Sequence, residues 1–388
     1  MMPRKSPDSP FGVTLSRYLL RNPHLTRDQL AAGIHQDPAV ITDMCKGRRL
    51  TGFQARQRIL RIIAWLHENK ALFSLEEADT LLTAADMAPL DPDRPEEAAL
   101  WRMLTDPDLL EPHNDAPAFT ISHPIAVPAR FYGRSRILER LFDLWRDRVQ
   151  HAIILGPRYS GKTSLLYFLQ RLQATTQIDL RPDQTNEWIS RASRIRWVYV
   201  DFRNPNMGNA AYLLRYLLHR MGMPAPRGVM LDSFIATVSA QLRSPTIILF
   251  DEVGIARERY HELGRPFWDG LSSLAQTGTY QRLGYVLTAE STIESPVFDV
   301  QFFGINGHLV HLGPFEIHEA RQLIASSPIP FPEEDFEWIL ETSNLWPLPL
   351  QILCHERLSA LQLGEKGTGW RERASHHLAL YRACFTAV

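Results

Sequence analysis

The chain has 388 residues, 45% hydrophobic and 22% charged, and its formal net charge is −1. That composition suits two or three globular domains and excludes a chain-wide electrostatic bias toward nucleic acid, while leaving room for a local basic segment. No apolar run reaches the ~20 residues of a membrane helix, MMPRKSPDSPFGV lacks a signal-peptide core, and the scattered Cys45, Cys354 and Cys384 read as free thiols of a cytoplasmic protein.

Residues 1–13 are expected to be a flexible N-terminus. Residues 14–88 predict short helices (TLSRYLLR, TRDQLAAGI, PAVITDMCK, FQARQRILRIIAWLHE, LEEADTLLTAADM), because apolar residues recur there at three- and four-residue spacing. Within them, LTRDQLAAGIHQDPAVITDMCKGRR (25–49) resembles the XRE-type helix-turn-helix of phage repressors: LTxxxLA, a turn, a second helix from Asp37 to Lys46, then basic residues. The spacing gathers Leu30, Ala31, Ile34 and Ile41 on one core, and the resemblance implies that the second helix faces a DNA major groove. Between residues 14 and 61 there are nine basic and three acidic residues, a balance suited to phosphate contact. Thr42, Lys46, Arg48 and Arg49 are the DNA-binding candidates, whereas Asp37 and Asp43 would repel phosphates. A retained scaffold used for protein contacts is the competing reading.

Residues 89–128 hold eight prolines and several carboxylates, which rules out a long helix or a central strand. A solvated linker is expected, with room for a short helix around EEAALWRML. From 129 onward, short apolar runs (HAIIL, WVYVDF, TIILF, GYVLT, HLVHL) alternate with helical patterns, which predicts a parallel sheet covered on both faces up to residue 315. Residues 316–388 read as helical again.

The first strand runs into Gly156-Pro157-Arg158-Tyr159-Ser160-Gly161-Lys162-Thr163, followed by Ser164 and a helix. This fits the G-x-x-x-x-G-K-[ST] phosphate loop in its strand–turn–helix context. Gly156 and Gly161 permit backbone angles and close approach that a Cβ would block. The loop N–H groups and the positive end of the helix can then cradle phosphates. Lys162 would place its charge on the β and γ oxygens, and Thr163 would ligate Mg²⁺. TIILFDE is a second apolar strand, ending in Asp251, which suits the Mg²⁺ position, and Glu252, which suits activation of the attacking water. GYVLTAEST offers Thr288, Glu290 or Ser291 to the γ-phosphate, Thr288 being the candidate phosphate sensor. Tyr159, Trp268, His113, His123, His151, His355 and the His376-His377 pair form no chemical constellation in the sequence.

Residues 129–388 resemble the STAND-type ATPases, the signal-transducing branch of the AAA+ superfamily close to origin-recognition ATPases. FYGRSRILERL is similar to that family's hhGRExEL opening motif, GPRYSGKTSLL to its GPRxxGKTSLL, and LETSNLWPLPLQILC to the tgGHPyllQ segment of its helical lid. The resemblance implies that Phe131, Tyr132, Gly133 and Arg134 line the adenine and ribose, and that Pro347 closes over the nucleotide from the lid. The chain departs from the pattern in three places: Ser135 replaces the Glu of GRE, Glu290 stands where an arginine is usual, and Asn344-Leu345-Trp346 replaces Gly-Gly-His.

The expected architecture is therefore an all-α helix-turn-helix domain, a linker, an α/β P-loop core of AAA+/STAND type with a parallel sheet, and a helical lid. The expected activity is slow Mg²⁺-dependent hydrolysis of ATP to ADP. One reading is a regulatory or defence-type switch that forms a homo-oligomer with ATP and engages double-stranded DNA. The other is an ATP-dependent adaptor for a separate effector protein such as a transposase, nuclease or protease. Neither involves a membrane. Arg257, Arg259 and Arg265 are candidates to act in trans, against the plainer reading of a solvated charged face.

Overall fold

The computed structural model describes residues 8–21, 25–69, 71–72, 75–91, 94–105, 118–121, 123–172, 175, 180–181, 184, 188, 194–226, 228–279, 281–290, 305, 307–381 and 384. The chain divides into two compact units, Met1–Glu111 and Pro112–Val388. No helix among the described residues is long and apolar enough to cross a membrane.

The first unit holds α1 (Pro10–Leu19), α2 (Arg27–Gly33), α3 (Pro38–Cys45), α4 (Phe53–Glu68), α5 (Leu75–Ala84) and α6 (Pro95–Thr105). Leu15, Leu30, Ala31, Ile41, Met44, Ile59, Ile63 and Leu66 are wholly buried and form its core. α1 begins four residues earlier than the expected flexible segment allows. Pro10 occupies its first turn, and the Ser9 hydroxyl accepts the Gly12 N–H at 3.2 Å while donating to the Cys45 carbonyl at 2.9 Å. α2 starts with a capping box between Thr26 and Gln29, and α3 starts on Asp37, which accepts the Ala39 N–H at 2.7 Å.

The proline-rich stretch is not uniformly extended. Pro95 sits at the start of α6, where a proline costs no hydrogen bond. Glu97 on that helix is fully buried and accepts from Arg56 Nε and Nη2, each at 2.7 Å, and from the Asp91 N–H at 2.8 Å. A buried carboxylate survives only with such partners, so residues 89–105 belong to the first unit.

The second unit carries β1 (Ala152–Gly156), β2 (Arg196–Asp201), β3 (Thr246–Asp251), β4 (Leu283–Glu290) and β5 (His308–His311). They form one sheet in the order β2-β3-β4-β1-β5, with every pairing parallel. β1 and β3 are buried along their whole length, as strands covered on both faces must be. The covering helices are α7 (Ser135–Leu144), α8 (Lys162–Arg171), α9 (Ala210–Arg220), α10 (Leu231–Gln241), α11 (Val253–Arg259) and α12 (Arg265–Ser273). A parallel sheet brings all its strand C-termini to one edge. Here that edge collects Gly156, Asp201, Asp251 and Glu290, and ligands of open α/β sheets bind at such an edge.

The helices α13 (Ile317–Ala325), α14 (Glu333–Ser343), α15 (Pro347–Gln362) and α16 (Gly369–Ala379) follow. They enclose a separate core of Leu323, Ile339, Leu350, Leu353 and Trp370, joined by Phe119 and Phe315. Between α14 and α15, Asn344 and Leu345 both take left-handed backbone angles, φ 47° and 60°. This left-handed turn costs its two non-glycine residues about 1–2 kcal/mol each. The Ser343 hydroxyl, accepting the Leu345 N–H, and the Phe315 N–H, donating to the Leu345 carbonyl, hold it in place.

His151, just before β1, stacks on Tyr285 of β4 with ring centroids 5.2 Å apart, and its Nδ1 accepts the Tyr285 N–H at 3.1 Å. Burial pushes its pKa down to about 4. Below its ordinary value near 6.5 the unfolded chain takes up a proton that the folded chain refuses. Stability should therefore fall as pH drops from about 6.5 to about 4, by on the order of 2–3 kcal/mol from this group. Urea unfolding of the wild type and of His151→Gln at pH 7.0, 5.5 and 4.5 checks it. The variant should lose that part of the slope, and parallel curves would refute the assignment.

Candidate phosphate and metal site

β1 ends in Gly156 and α8 begins at Lys162, so the loop between them is a strand-to-helix turn of five residues. A Cβ on Gly156 would lie 2.6 Å from Ser160 Oγ and 3.0 Å from the Leu312 carbonyl oxygen, so only glycine lets the loop close there. Gly161 is needed for its backbone instead: φ is 93°, and the space a Cβ would take is open. Tyr159 is left-handed as well, φ 63°. Ser160 Oγ is buried with no hydrogen-bond partner, one polar atom of the loop left over by the protein's own bonding.

Lys162 is 5% exposed, and its ammonium donates to the carbonyls of Gly156 and Pro157, both at 2.9 Å. Burial pulls its pKa below the usual lysine value, against the carboxylates of Glu252, Glu290 and Asp251. Asp251 is fully buried. Its Oδ2 accepts from Thr163 Oγ1 at 2.7 Å and from the Tyr199 hydroxyl at 2.9 Å, and its Oδ1 accepts from Thr288 Oγ1. Lys162 and Thr163 thus meet Asp251, distant in the chain, at one edge of the sheet.

Glu252 follows in a left-handed conformation, φ 57° and ψ 47°. A non-glycine residue holds it only where its surroundings insist. Thr288 insists here, because its hydroxyl accepts the Glu252 N–H at 3.0 Å while giving its own proton to Asp251. Burial, then the charge of Asp251, raises the Glu252 pKa, with Lys162 and Arg203 opposing. Thr288, expected as a phosphate sensor, thus spends its proton on Asp251 and acts as a brace between two strand ends. Thr288→Val should leave the Glu252 N–H unpaired and cost about 1–3 kcal/mol. Thr288→Ser should cost clearly less. Urea unfolding of both variants measures the difference, and equal losses would show that the methyl group matters and the hydroxyl does not.

Tyr199 and Arg203 escaped sequence reasoning. Asp201 pairs in register with Asp251, and Arg203, two residues on, reaches both: its Nη2 is 2.7 Å from Asp201 Oδ2 and 3.7 Å from Asp251 Oδ2. The signal was present in WVYVDF, a buried strand with an inserted tyrosine and a terminal aspartate like that of TIILFD.

The expected adenine-side residues make these contacts within the protein. Phe131 is 5% exposed and its ring stacks on Phe168 at 4.6 Å, as part of the core. Tyr132 lies under the Arg181 guanidinium at 3.9 Å. Gly133 has φ 73° and abuts the Phe315 ring. The Arg134 side chain is spent on carbonyls, donating to Ser160 (3.1 Å), Gly313 (2.7 Å) and Pro314 (3.2 Å), so it ties the loop to the chain that leads to α13. Burial lowers its pKa to about 10. Ser164 Oγ accepts the Ile125 N–H at 3.0 Å, and Pro347 opens α15. Arg158 lies over the Tyr159 ring at 5.2 Å. Glu290 is exposed at the end of β4, in register with Gly156. Arg257, Arg259 and Arg265 are exposed. Ser291 and His113 lie outside the described residues.

The donor set suits Mg²⁺. A hydroxyl and a carboxylate, 2.7 Å apart, are hard oxygen donors, and Mg²⁺ is usually held by one or two such groups plus substrate phosphates and water. No cluster of three or more His, Cys, Asp or Glu able to cage a metal occurs among the described residues, so phosphate oxygens would have to complete the site.

In the first unit, Thr42, Lys46, Arg48 and Arg49 are all exposed. Thr42 donates back to the Pro38 carbonyl at 3.0 Å. Asp43 pairs with Arg49 at 3.2 Å and approaches Arg48 at 3.7 Å.

Strand order, phosphate loop and acidic strand end together define the class: an α/β fold of P-loop type, with a five-stranded parallel sheet. No family model matches the chain, and no curated protein matches it. Among solved structures it is similar to a Walker-type ATPase of Pyrococcus abyssi, with TM-score 0.46 and 13% identity over 69% of this chain and 78% of that one. It is also similar to the Aeropyrum pernix Orc1 protein, solved in complex with DNA, with TM-score 0.46 and 14% identity over 66% and 68%. A Thermotoga maritima RuvB variant gives TM-score 0.39 and 12% identity over 64% and 70%. At these identities the likeness is one of fold alone.

Proposed function

We propose that the chain binds ATP with Mg²⁺, hydrolyses it slowly, and uses the change as a switch of STAND type. Nucleotide state would govern self-association and the engagement of DNA or a protein partner through the first unit. One observation carries this reading: Asp251 is joined to the phosphate loop by Thr163 and to Glu252 by way of Thr288.

The chemistry follows from those groups. The loop N–H groups and Lys162 hold the phosphates and neutralise charge that develops as the γ-phosphoryl group leaves. Thr163 and Asp251 would hold Mg²⁺, which would supply further positive charge to the phosphates. Glu252 orients a water and accepts its proton, and its raised pKa suits that role. Arg257, Arg259 and Arg265 are exposed and are the candidates to act in trans on a neighbouring copy.

The test is nucleotide titration of the full chain, phosphate release, and mass in solution with ADP, ATP and a slowly hydrolysed analogue, with and without duplex DNA. Failure to bind ADP or ATP at millimolar concentration would sink the reading.

A second reading, an ATP-dependent adaptor whose first unit contacts a separate effector protein, is favoured by the charges around α3. Asp43 engages Arg49 and Arg48, and Asp37 caps the helix end that a groove-reading helix would bring to DNA. Duplex binding that weakens steeply with salt and drops in Arg49→Ala would support the DNA switch. Absence of binding at low salt would support the adaptor.

A further inference from the structure

Asp251 receives three hydroxyl donors, from Thr163, Tyr199 and Thr288. These satisfy its lone pairs but bring no positive charge to a carboxylate withdrawn from water. Lys162 points its ammonium at the Gly156 and Pro157 carbonyls. Among the described residues, the cation that forms an ion pair with Asp251 is Arg203, with Nη2 3.7 Å from Oδ2, the oxygen that also accepts from Thr163.

Arg203 is held there by Asp201. Its Nε donates to both Asp201 oxygens at 2.9 Å, Nη2 lies 2.7 Å from Oδ2, and its own backbone N–H donates to Oδ1 at 2.9 Å. Asp201 therefore fixes both the turn after β2 and the direction of the guanidinium. The side chain is still 47% exposed, so it can swing toward solvent without opening a hole.

We infer that Arg203 is a built-in counter-cation that competes with Mg²⁺ for Asp251, so that the Asp201–Arg203 pair sets how tightly the site holds its metal. This rests on the nucleotide reading above. A guanidinium and a divalent ion sharing one carboxylate oxygen repel each other strongly where water is partly excluded. Arg203 relieves part of that repulsion by swinging out, and the remainder lowers metal affinity. It acts through Asp251 and touches no reacting atom, so it is a positioning residue. Its effect is that metal arrives most readily together with nucleotide phosphates, whose negative charge offsets the guanidinium.

The experiment is titration of the full chain with Mn²⁺, read by electron paramagnetic resonance at saturating ADP, in a charge series at position 203. Arg203→Lys should stay within about twofold of wild type. Arg203→Gln should bind Mn²⁺ about threefold to tenfold more tightly, and Arg203→Glu more tightly still. Thermal melting of each variant accompanies the titration, because a merely structural role would lower the midpoint and leave the metal series flat. A flat series, or weaker Mn²⁺ binding in Arg203→Gln, overturns the inference. So does a loss of ATP affinity in Arg203→Gln with Mn²⁺ affinity unchanged, which would make the residue a phosphate contact. ADP binding by the wild type is measured first. Its absence takes the nucleotide reading down as well, whereas normal ADP binding with a flat series removes only the role of Arg203.

Discussion

Lys162→Ala is expected to weaken ADP and ATP binding by at least about 100-fold while leaving the second unit folded. The ammonium is buried and donates to two carbonyls of its own loop. It is thus held over the turn, needing only a short movement to meet phosphate oxygens. Charge-assisted hydrogen bonds are worth about 1.5–3 kcal/mol each, so losing two of them at the phosphates accounts for the expected factor. The fold should tolerate the change, because alanine removes a desolvated charge whose pKa burial has already pulled down. Equilibrium binding of a fluorescent ADP analogue, with thermal melting as control, measures both. Affinity within threefold of wild type would show that the loop does not hold phosphates through this lysine.

Glu252→Gln should separate binding from turnover. The amide keeps size and shape and leaves the backbone N–H bond to Thr288 untouched, so nucleotide affinity should stay within about threefold. Gln cannot take a proton from water, and general-base catalysis contributes about 10²–10⁴-fold, so phosphate release should fall by at least about 100-fold. A variant that hydrolyses ATP normally would require another base. Glu290 would be the first to examine, since its charge also acts on Lys162.

The local chemistry of the loop is legible because its parts are adjacent. Gly156, Gly161, Lys162 and Thr163 lie within eight residues, and a strand before and a helix after them leave little freedom in how they are presented. The same locality explains the α/β alternation and the helices of the first unit. α6 is the short helix allowed for around EEAALWRML: Pro95-Glu96-Glu97 is a helix start, with proline in the first turn and acids at its positive end, and what the proline count hid is the burial of Glu97 against Arg56. Phe131 and Arg134 show a different gap. Their motif was recognisable, but their contacts with Phe168, Gly313 and Pro314, distant in sequence, were not.

Sequence alone determined that this chain would form a parallel α/β unit with a glycine-bearing phosphate loop, because apolar periodicity and turn geometry act over a few residues. Tertiary structure decided what stands beside the loop. By inserting β4 between β1 and β3, the sheet order brought Thr288 between Asp251 and the loop, and parallel register set Asp201 and Arg203 next to Asp251. Those contacts span dozens of residues, and hydrogen bonding between strands, not spacing along the chain, creates them.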